Sequence, residues 1–176
     1  MRKTNQGRGK ARRKELMEIR WFFLRSGLLL AMVYLLFCHV IGLAVAPNSD
    51  MSPRIDQGDL LVYYRLQPSL KAREVVVFSK NDTTYIGRVV ACPGETVEIE
   101  NERLKVNGNQ ILESETYLRK TPVYEGFVEY PLVLKEDEYF ILCDRRDGGE
   151  DSRYLGPISG AAIEGVAVAI FRRDDL

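Results

Sequence analysis

Thr83-Thr84-Tyr85-Ile86-Gly87-Arg88-Val89-Val90-Ala91, closed by Cys92-Pro93-Gly94-Glu95, is the stretch that decides the fold. Six of these first nine residues are β-branched or aromatic and a Pro-Gly turn ends the run, so it reads as a strand. Outward from it the same pattern recurs at Glu74 to Ser79, Leu60 to Tyr64, Thr96 to Glu100, Leu104 to Val106, Phe127 to Leu134, Tyr139 to Cys143 and Ile163 to Phe171. Asn81-Asp82, Asn107-Gly108 and Asp147-Gly148-Gly149 punctuate these runs as turn signals, and no amphipathic helix of three turns interrupts them. Residues 47–176 are therefore predicted to form one all-β domain around a single core, with residues 114–126 as the longest loop.

A different grammar precedes Pro47. Gly27 to Ala46 holds twenty residues without a formal charge, enough at about 1.5 Å per residue to cross a hydrocarbon layer of about 30 Å. The whole chain has 25 Lys+Arg and 25 Asp+Glu, but residues 1–25 carry nine basic and two acidic residues, a net +7 that leaves −7 beyond them. A basic flank on the N-terminal side of a span predicts a cytoplasmic N-terminus and an extracytoplasmic C-terminal domain in a single-pass cell-membrane protein. Ala44-Val45-Ala46 resembles a signal cleavage site, but the next residue is Pro47, which lacks an amide N–H, so the segment is read as a retained signal anchor. The expected organisation is a basic tail at 1–25, an anchor at 26–46 and an exported β domain at 47–176. The tail beside a span reads as an orientation signal in contact with membrane lipid, and no nucleic-acid partner is predicted.

Three cysteines and one histidine fall short of a closed zinc site, and no CxxC or HxxxH pair exists, so neither metal nor cofactor is expected. Whether Cys92 and Cys143 pair is left open by the sequence, because a disulfide needs Cα atoms about 4.4 to 6.8 Å apart.

Three blocks in order carry a family resemblance. Pro47-Asn48-Ser49-Asp50-Met51-Ser52-Pro53 with Gly58-Asp59 follows the anchor, then Tyr85 to Glu95, then Cys143-Asp144-Arg145-Arg146-Asp147-Gly148-Gly149-Glu150-Asp151-Ser152-Arg153-Tyr154-Leu155-Gly156. Together they resemble the type I signal peptidase family, which implies a signal-peptidase-like β domain behind one transmembrane helix. The family's nucleophilic serine and general-base lysine fall, by this resemblance, on Asp50 and Gly87, and supporting hydroxyl positions fall on Asn48 and Gly149. The resemblance also implies a substrate cleft at Ser49, Met51, Ile55, Tyr85 and Ile86, and a structural ion pair of Asp151 with Arg153.

The mechanism that the resemblance implies needs a hydroxyl and a neutral amine, and neither stands at positions 50 and 87. Alternating side chains in extended chain keep Ser49 and Ser52 off the nucleophile's face, Arg88 stays protonated, and a Cys-His pair is excluded because His39 lies within the span. An aspartic dyad of Asp50 with Asp144 or Asp151 is chemically conceivable. The expectation is a pseudo-peptidase: a chaperone or scaffold like the signal-peptidase-like proteins of Gram-positive pilus gene clusters, with pilin subunits and sortase as partners. The alternatives are an active signal peptidase of unusual mechanism and a regulator of the catalytic one. A further expectation is that Asp50 and Gly87 together leave a small acidic vacancy able to receive a cationic group.

Overall fold

The computed structural model describes residues 4–66, 69–111 and 120–173, with side chains from residue 13 onward. The chain divides at Val40/Ile41 into two units.

The first unit is a helix, α1 (Thr4–Leu35), continued by a π-helical turn over Leu36–Val40. Arg13–Val40 is long and apolar enough to cross a membrane. Its large apolar side chains are uncovered by protein: Phe22, Leu28 and Tyr34 are 65%, 73% and 67% exposed. A helix apolar on all sides needs a covering medium, and a lipid bilayer supplies one.

The second unit is mostly β, as expected. Its larger sheet has seven strands in the order β1-β2-β11-β3-β4-β9-β10, and a smaller one has four in the order β7-β6-β5-β8. The strands are β1 (Ile41–Val45), β2 (Leu60–Tyr64), β3 (Val75–Lys80), β4 (Thr83–Ala91), β5 (Thr96–Glu100), β6 (Arg103–Val106), β7 (Asn109–Gln110), β8 (Leu132–Val133), β9 (Glu138–Leu142), β10 (Ile158–Ser159) and β11 (Ile163–Phe171). The deciding stretch, β4, lies between β3 and β9 and is buried from Ile86 to Ala91. Among the described residues every ladder is antiparallel. A single helical turn, α2 (Ser152–Leu155), is capped by Asp151, whose carboxylate accepts from the Arg153 amide.

The end of the anchor and one expected strand differ from the structure. The anchor was expected to run to Ala46, but Ile41–Val45 form β1 and pair residue for residue with β2 from Ile41↔Tyr64 to Val45↔Leu60. Gly42 makes that pairing possible: a Cβ there would sit 2.2 Å from the Tyr63 ring. Phe127 to Leu134 was expected as a strand, but only Leu132–Val133 pairs: the exposed Phe127 ring lies tilted at 49° against Tyr154, and Pro131 breaks the run. Of the expected loop at 114–126, residues 114–119 lie outside the described residues, and 120–126 have no regular structure.

Candidate functional site

The C-terminal end of β9 and the loop to α2 bring positions 143 to 153 against the turn at Asn48 to Ile55. The Arg145 amide donates to the Asp50 carbonyl at 2.8 Å and the Asp144 amide meets Met51 Sδ at 3.3 Å, ties between segments more than ninety residues apart.

Asp50 is half-buried, and its geometry is set by Asn48. Asn48 Nδ2 donates to Asp50 Oδ2 at 2.8 Å, while the Asp50 amide donates back to Asn48 Oδ1 at 3.1 Å. Burial pushes the Asp50 carboxyl above its ordinary value; the Glu150 amide hydrogen bond and Arg145 oppose the rise, and Asp151 and Glu150 add to it. A carboxyl moved up toward neutrality is a better proton acceptor at working pH than an ordinary aspartate.

The remaining sequence-predicted residues separate into two groups. Met51, Ile55 and Ile86 join Ala46, Leu61, Tyr63, Val77 and Cys143 in one buried cluster. Met51 and Ile55 are 2% and 1% exposed, so the expectation that they line a cleft is corrected: they belong to the core. Ser49 is half-buried, its hydroxyl accepting from the Gln57 amide at 3.3 Å. Tyr85 is also half-buried; it stacks on Phe78 at 5.4 Å, and its hydroxyl donates to Glu150 Oε2 at 3.3 Å.

Gly87 and Gly149 are both tightly enclosed. A Cβ on Gly87 would meet Ile141 Cγ2 at 2.5 Å and the Leu142 carbonyl oxygen at 3.3 Å, and one on Gly149 would meet Cys143 Sγ at 2.1 Å. The expected vacancy is therefore corrected at position 87: Ile141, fully buried, fills the space where a side chain would start.

Cys143 is equally fixed. Its thiol donates to Asp151 Oδ2 at 2.9 Å, and its amide reaches the same oxygen at 3.1 Å. Burial first, then Asp151, pushes the thiol well above its ordinary range, which keeps it neutral and unreactive. Cys92 and Cys143 are both free thiols, so the disulfide is absent.

A buried ionic frame holds the loop. Asp151 takes Arg153 Nη2 at 2.7 Å and Nε at 2.9 Å, and Arg153 Nη1 donates to the Arg146 carbonyl at 2.9 Å with its guanidinium 4.4 Å over the Tyr124 ring. Arg88 forms a fork with Asp144, Nε to Oδ1 at 2.8 Å and Nη2 to Oδ2 at 2.6 Å. Arg146, with no exposed surface, donates to the Cys143 carbonyl at 2.7 Å and to Thr121 Oγ1 at 2.8 Å. These pairs are desolvated and mutually satisfied, which gives the loop one geometry.

Sequence reasoning did not single out Glu150, Tyr154 or Phe127. Glu150 and Tyr154 lay within a quoted block, but only the fold sets the Glu150 carboxylate against the Tyr85 hydroxyl, 3.3 Å away. Among the described residues no cluster of three or more His, Cys, Asp or Glu side chains could hold a metal ion.

Against known proteins, the family model described as "Signal peptidase, peptidase S26" matches residues 19–172. A relative named "Probable signal peptidase I-2" from Synechocystis sp. is 29% identical over 71% of this chain and 60% of its own length. "Signal peptidase I S" from Bacillus subtilis is 31% identical over 56% of this chain and 57% of its own. The chain thus spans about three fifths of the length of these curated relatives. A crystal structure of a signal peptidase I from Enterococcus faecalis V583 superposes with a TM-score of 0.47 at 28% identity, over 56% of this chain and 96% of that one.

The expectation of a pseudo-peptidase is overturned by these matches, since the family is a peptidase family and the relatives carry an enzyme's name. With a match from residue 19 to residue 172, the chain belongs to the signal peptidase family, peptidase S26.

Proposed function

We propose that this chain is an active, membrane-anchored peptidase of unusual mechanism, which takes an extended segment of an exported polypeptide at the Asp50 site and hydrolyses one peptide bond. The observation that carries the reading is Asp50 itself: a half-buried carboxyl, raised above its ordinary value and oriented by Asn48, in a chain matched to a peptidase family from residue 19 to residue 172. The tail at 1–25 lies in the cytoplasm in this reading and the β domain outside, so the substrate is itself tethered to the membrane.

The chemistry runs through water. Ionised Asp50 takes a proton from a water molecule as the water oxygen bonds to the scissile carbonyl carbon. The tetrahedral adduct then collapses, the C–N bond breaks, and protonated Asp50 returns that proton to the departing amine. One water is consumed and Asp50 is regenerated. Cys143 stays neutral throughout, and both carboxylate oxygens of Asp144 are taken by the Arg88 fork. The test is cleavage of a synthetic signal-peptide substrate by the full chain, compared with Asp50→Asn. A single new amine terminus that is lost in the variant supports the reading; intact substrate in both sinks it.

A second reading rests on the Asp and Gly at positions 50 and 87, the pair by which this chain resembles the signal-peptidase-like proteins of pilus gene clusters. In it, the chain binds and positions pilin subunits for sortase-catalysed polymerisation. Co-purification of pilin with the full chain, dependent on Asp50, would support that reading, and its absence would count against it.

A further inference from the structure

The helix that precedes β1 is shorter than the apolar sequence it was expected to occupy. Because β1 takes Ile41–Val45, the uncharged helical stretch after Arg25 is residues 26–40, about 22 Å long at about 1.5 Å per residue. A hydrocarbon layer needs about 30 Å. The missing length cannot come from β1, which lies at the edge of the seven-stranded sheet and whose outer N–H and C=O groups hydrocarbon would not satisfy. It comes from the other end, where residues 21–40 supply about 30 Å of continuous helix.

That register puts Trp21 at the entry to the bilayer and Arg25 about 6 Å inside it. The side chains are arranged to accommodate the charge. The Arg25 guanidinium carbon lies over the Trp21 ring, 6.0 Å from its centroid, so the side chain runs back one turn toward the N-terminus. A long cationic side chain bent in this way keeps its stem in apolar surroundings and delivers its head to the boundary, the level at which an indole is also most stable. Trp21, Phe22, Phe23 and Arg25 are all exposed, open to lipid rather than covered by protein.

Charge selects the lipid. Arg12, Arg13, Lys14, Arg20 and Arg25 stand against Glu15 and Glu18 in this part of the helix, so it meets the boundary with an excess of cations. A phosphate oxygen answers the Arg25 guanidinium through its N–H donors, and a headgroup of net negative charge is favoured over one whose phosphate is balanced by its own ammonium. We propose that residues 21–40 are the embedded segment and that Trp21 and Arg25 form a site for the phosphate of an anionic lipid at its entry. The inference uses the membrane-anchored reading above but none of the Asp50 chemistry.

Trp21 is the single tryptophan of the chain, so its fluorescence reports this boundary alone. The full chain is reconstituted into vesicles of phosphatidylcholine and phosphatidylglycerol in equal parts, with one of the two lipids brominated either high or deep on its acyl chains. Shallow bromines are expected to quench Trp21 more than deep ones. With residues 27–46 as the span instead, Trp21 would stand about 9 Å outside the hydrocarbon and neither set would quench it. Shallow-brominated phosphatidylglycerol should quench at least about two-fold more than the matching phosphatidylcholine. Arg25→Gln should abolish that excess, whereas Lys14→Gln, which removes the same charge farther along the tail, should leave most of it; circular dichroism checks the fold of each. Absence of shallow quenching in the parent chain, equal quenching by the two lipids, or equal effects of the two substitutions overturns the proposal. Peptide cleavage is not read here, so such a result leaves the hydrolytic reading standing, and a failure to cleave leaves the lipid site standing.

Discussion

Asn48 and Asp50 hold each other reciprocally: the Asn48 amide nitrogen donates to the Asp50 carboxylate at 2.8 Å, and the Asp50 backbone N–H returns a bond to the Asn48 carbonyl oxygen at 3.1 Å. The pair fixes the one carboxylate on which the proposed chemistry depends. Asn48→Ala removes the positioning bond while leaving the acid, so turnover should fall about ten- to a hundred-fold, with the pH profile of kcat displaced toward alkaline pH as the carboxylate loses a stabilising donor. A pH series of kcat and KM on the variant checks this; an unchanged profile would remove Asn48 from the mechanism.

Asp50 also makes a stability prediction with a definite sign. Its carboxyl is raised above the usual 3.8, so the native state holds its proton more tightly than the unfolded chain does. The associated stability is fully present below pH 3.8 and is lost as pH rises through the raised value. Asp50→Asn should therefore be at least as stable as the parent at pH 7 and lose its advantage in acid, measured as urea midpoints across that range.

Glu164 should behave in the opposite sense. Ser79 Oγ and Tyr63 Oη each donate to it at 2.6 Å, and these bonds hold its carboxyl below the usual 4.5. Its contribution is present above pH 4.5 and disappears as pH falls through the depressed value. Tyr63, pushed up to about 12 by burial and by Glu164, stays protonated and continues to donate throughout. Glu164→Gln should flatten the acid limb of the stability curve, which thermal melts from pH 3 to pH 7 would show.

Position 87 offers a steric test. The Gly87 Cβ direction ends 2.5 Å from Ile141 Cγ2, so Gly87→Ala and Gly87→Lys should each cost about 1 to 3 kcal/mol by overpacking. Pairing either with Ile141→Val, which removes the δ methyl but keeps Cγ2, should recover little, whereas Ile141→Ala should relieve the clash at the cost of a cavity. Denaturant unfolding of the four double variants distinguishes the two.

The ionic frame is the most sensitive point of the fold. Asp151→Asn or Arg153→Met leaves its former partner buried and uncompensated, for an expected loss of about 3 to 5 kcal/mol. Urea denaturation measures it, and a loss below about 1 kcal/mol would mean that the pair is not closed to water.

The strands were legible where a long run had a single interpretation. Thr83–Ala91 and Ile163–Phe171 are nine-residue runs rich in β-branched and aromatic residues, and their ends coincide with the expected ones. Ile41–Val45 was not legible, because five apolar residues that continue a membrane span look alike whether lipid or β2 covers them; only the register with Leu60 to Tyr64 decides. At the site, the three sequence blocks named Asp50, Gly87, Asp151 and Arg153, but not what surrounds them. That Ile141 fills the space at Gly87, that Arg145 donates to the Asp50 carbonyl, and that Tyr85 reaches Glu150, are consequences of contacts between distant segments. Met51 and Ile55 illustrate the converse: they sit in a motif read as a cleft, yet their side chains are apolar and the core takes them.

The central claim is tested most directly by mass spectrometry of a synthetic signal-peptide substrate incubated with the full chain in micelles, beside the folded Asp50→Asn variant and a Ser/Lys signal peptidase as positive control. The account predicts one cleavage product that appears with the parent chain and is absent with Asp50→Asn. Substrate left intact by the folded parent while the control cleaves it, or equal cleavage by parent and variant, would contradict the account.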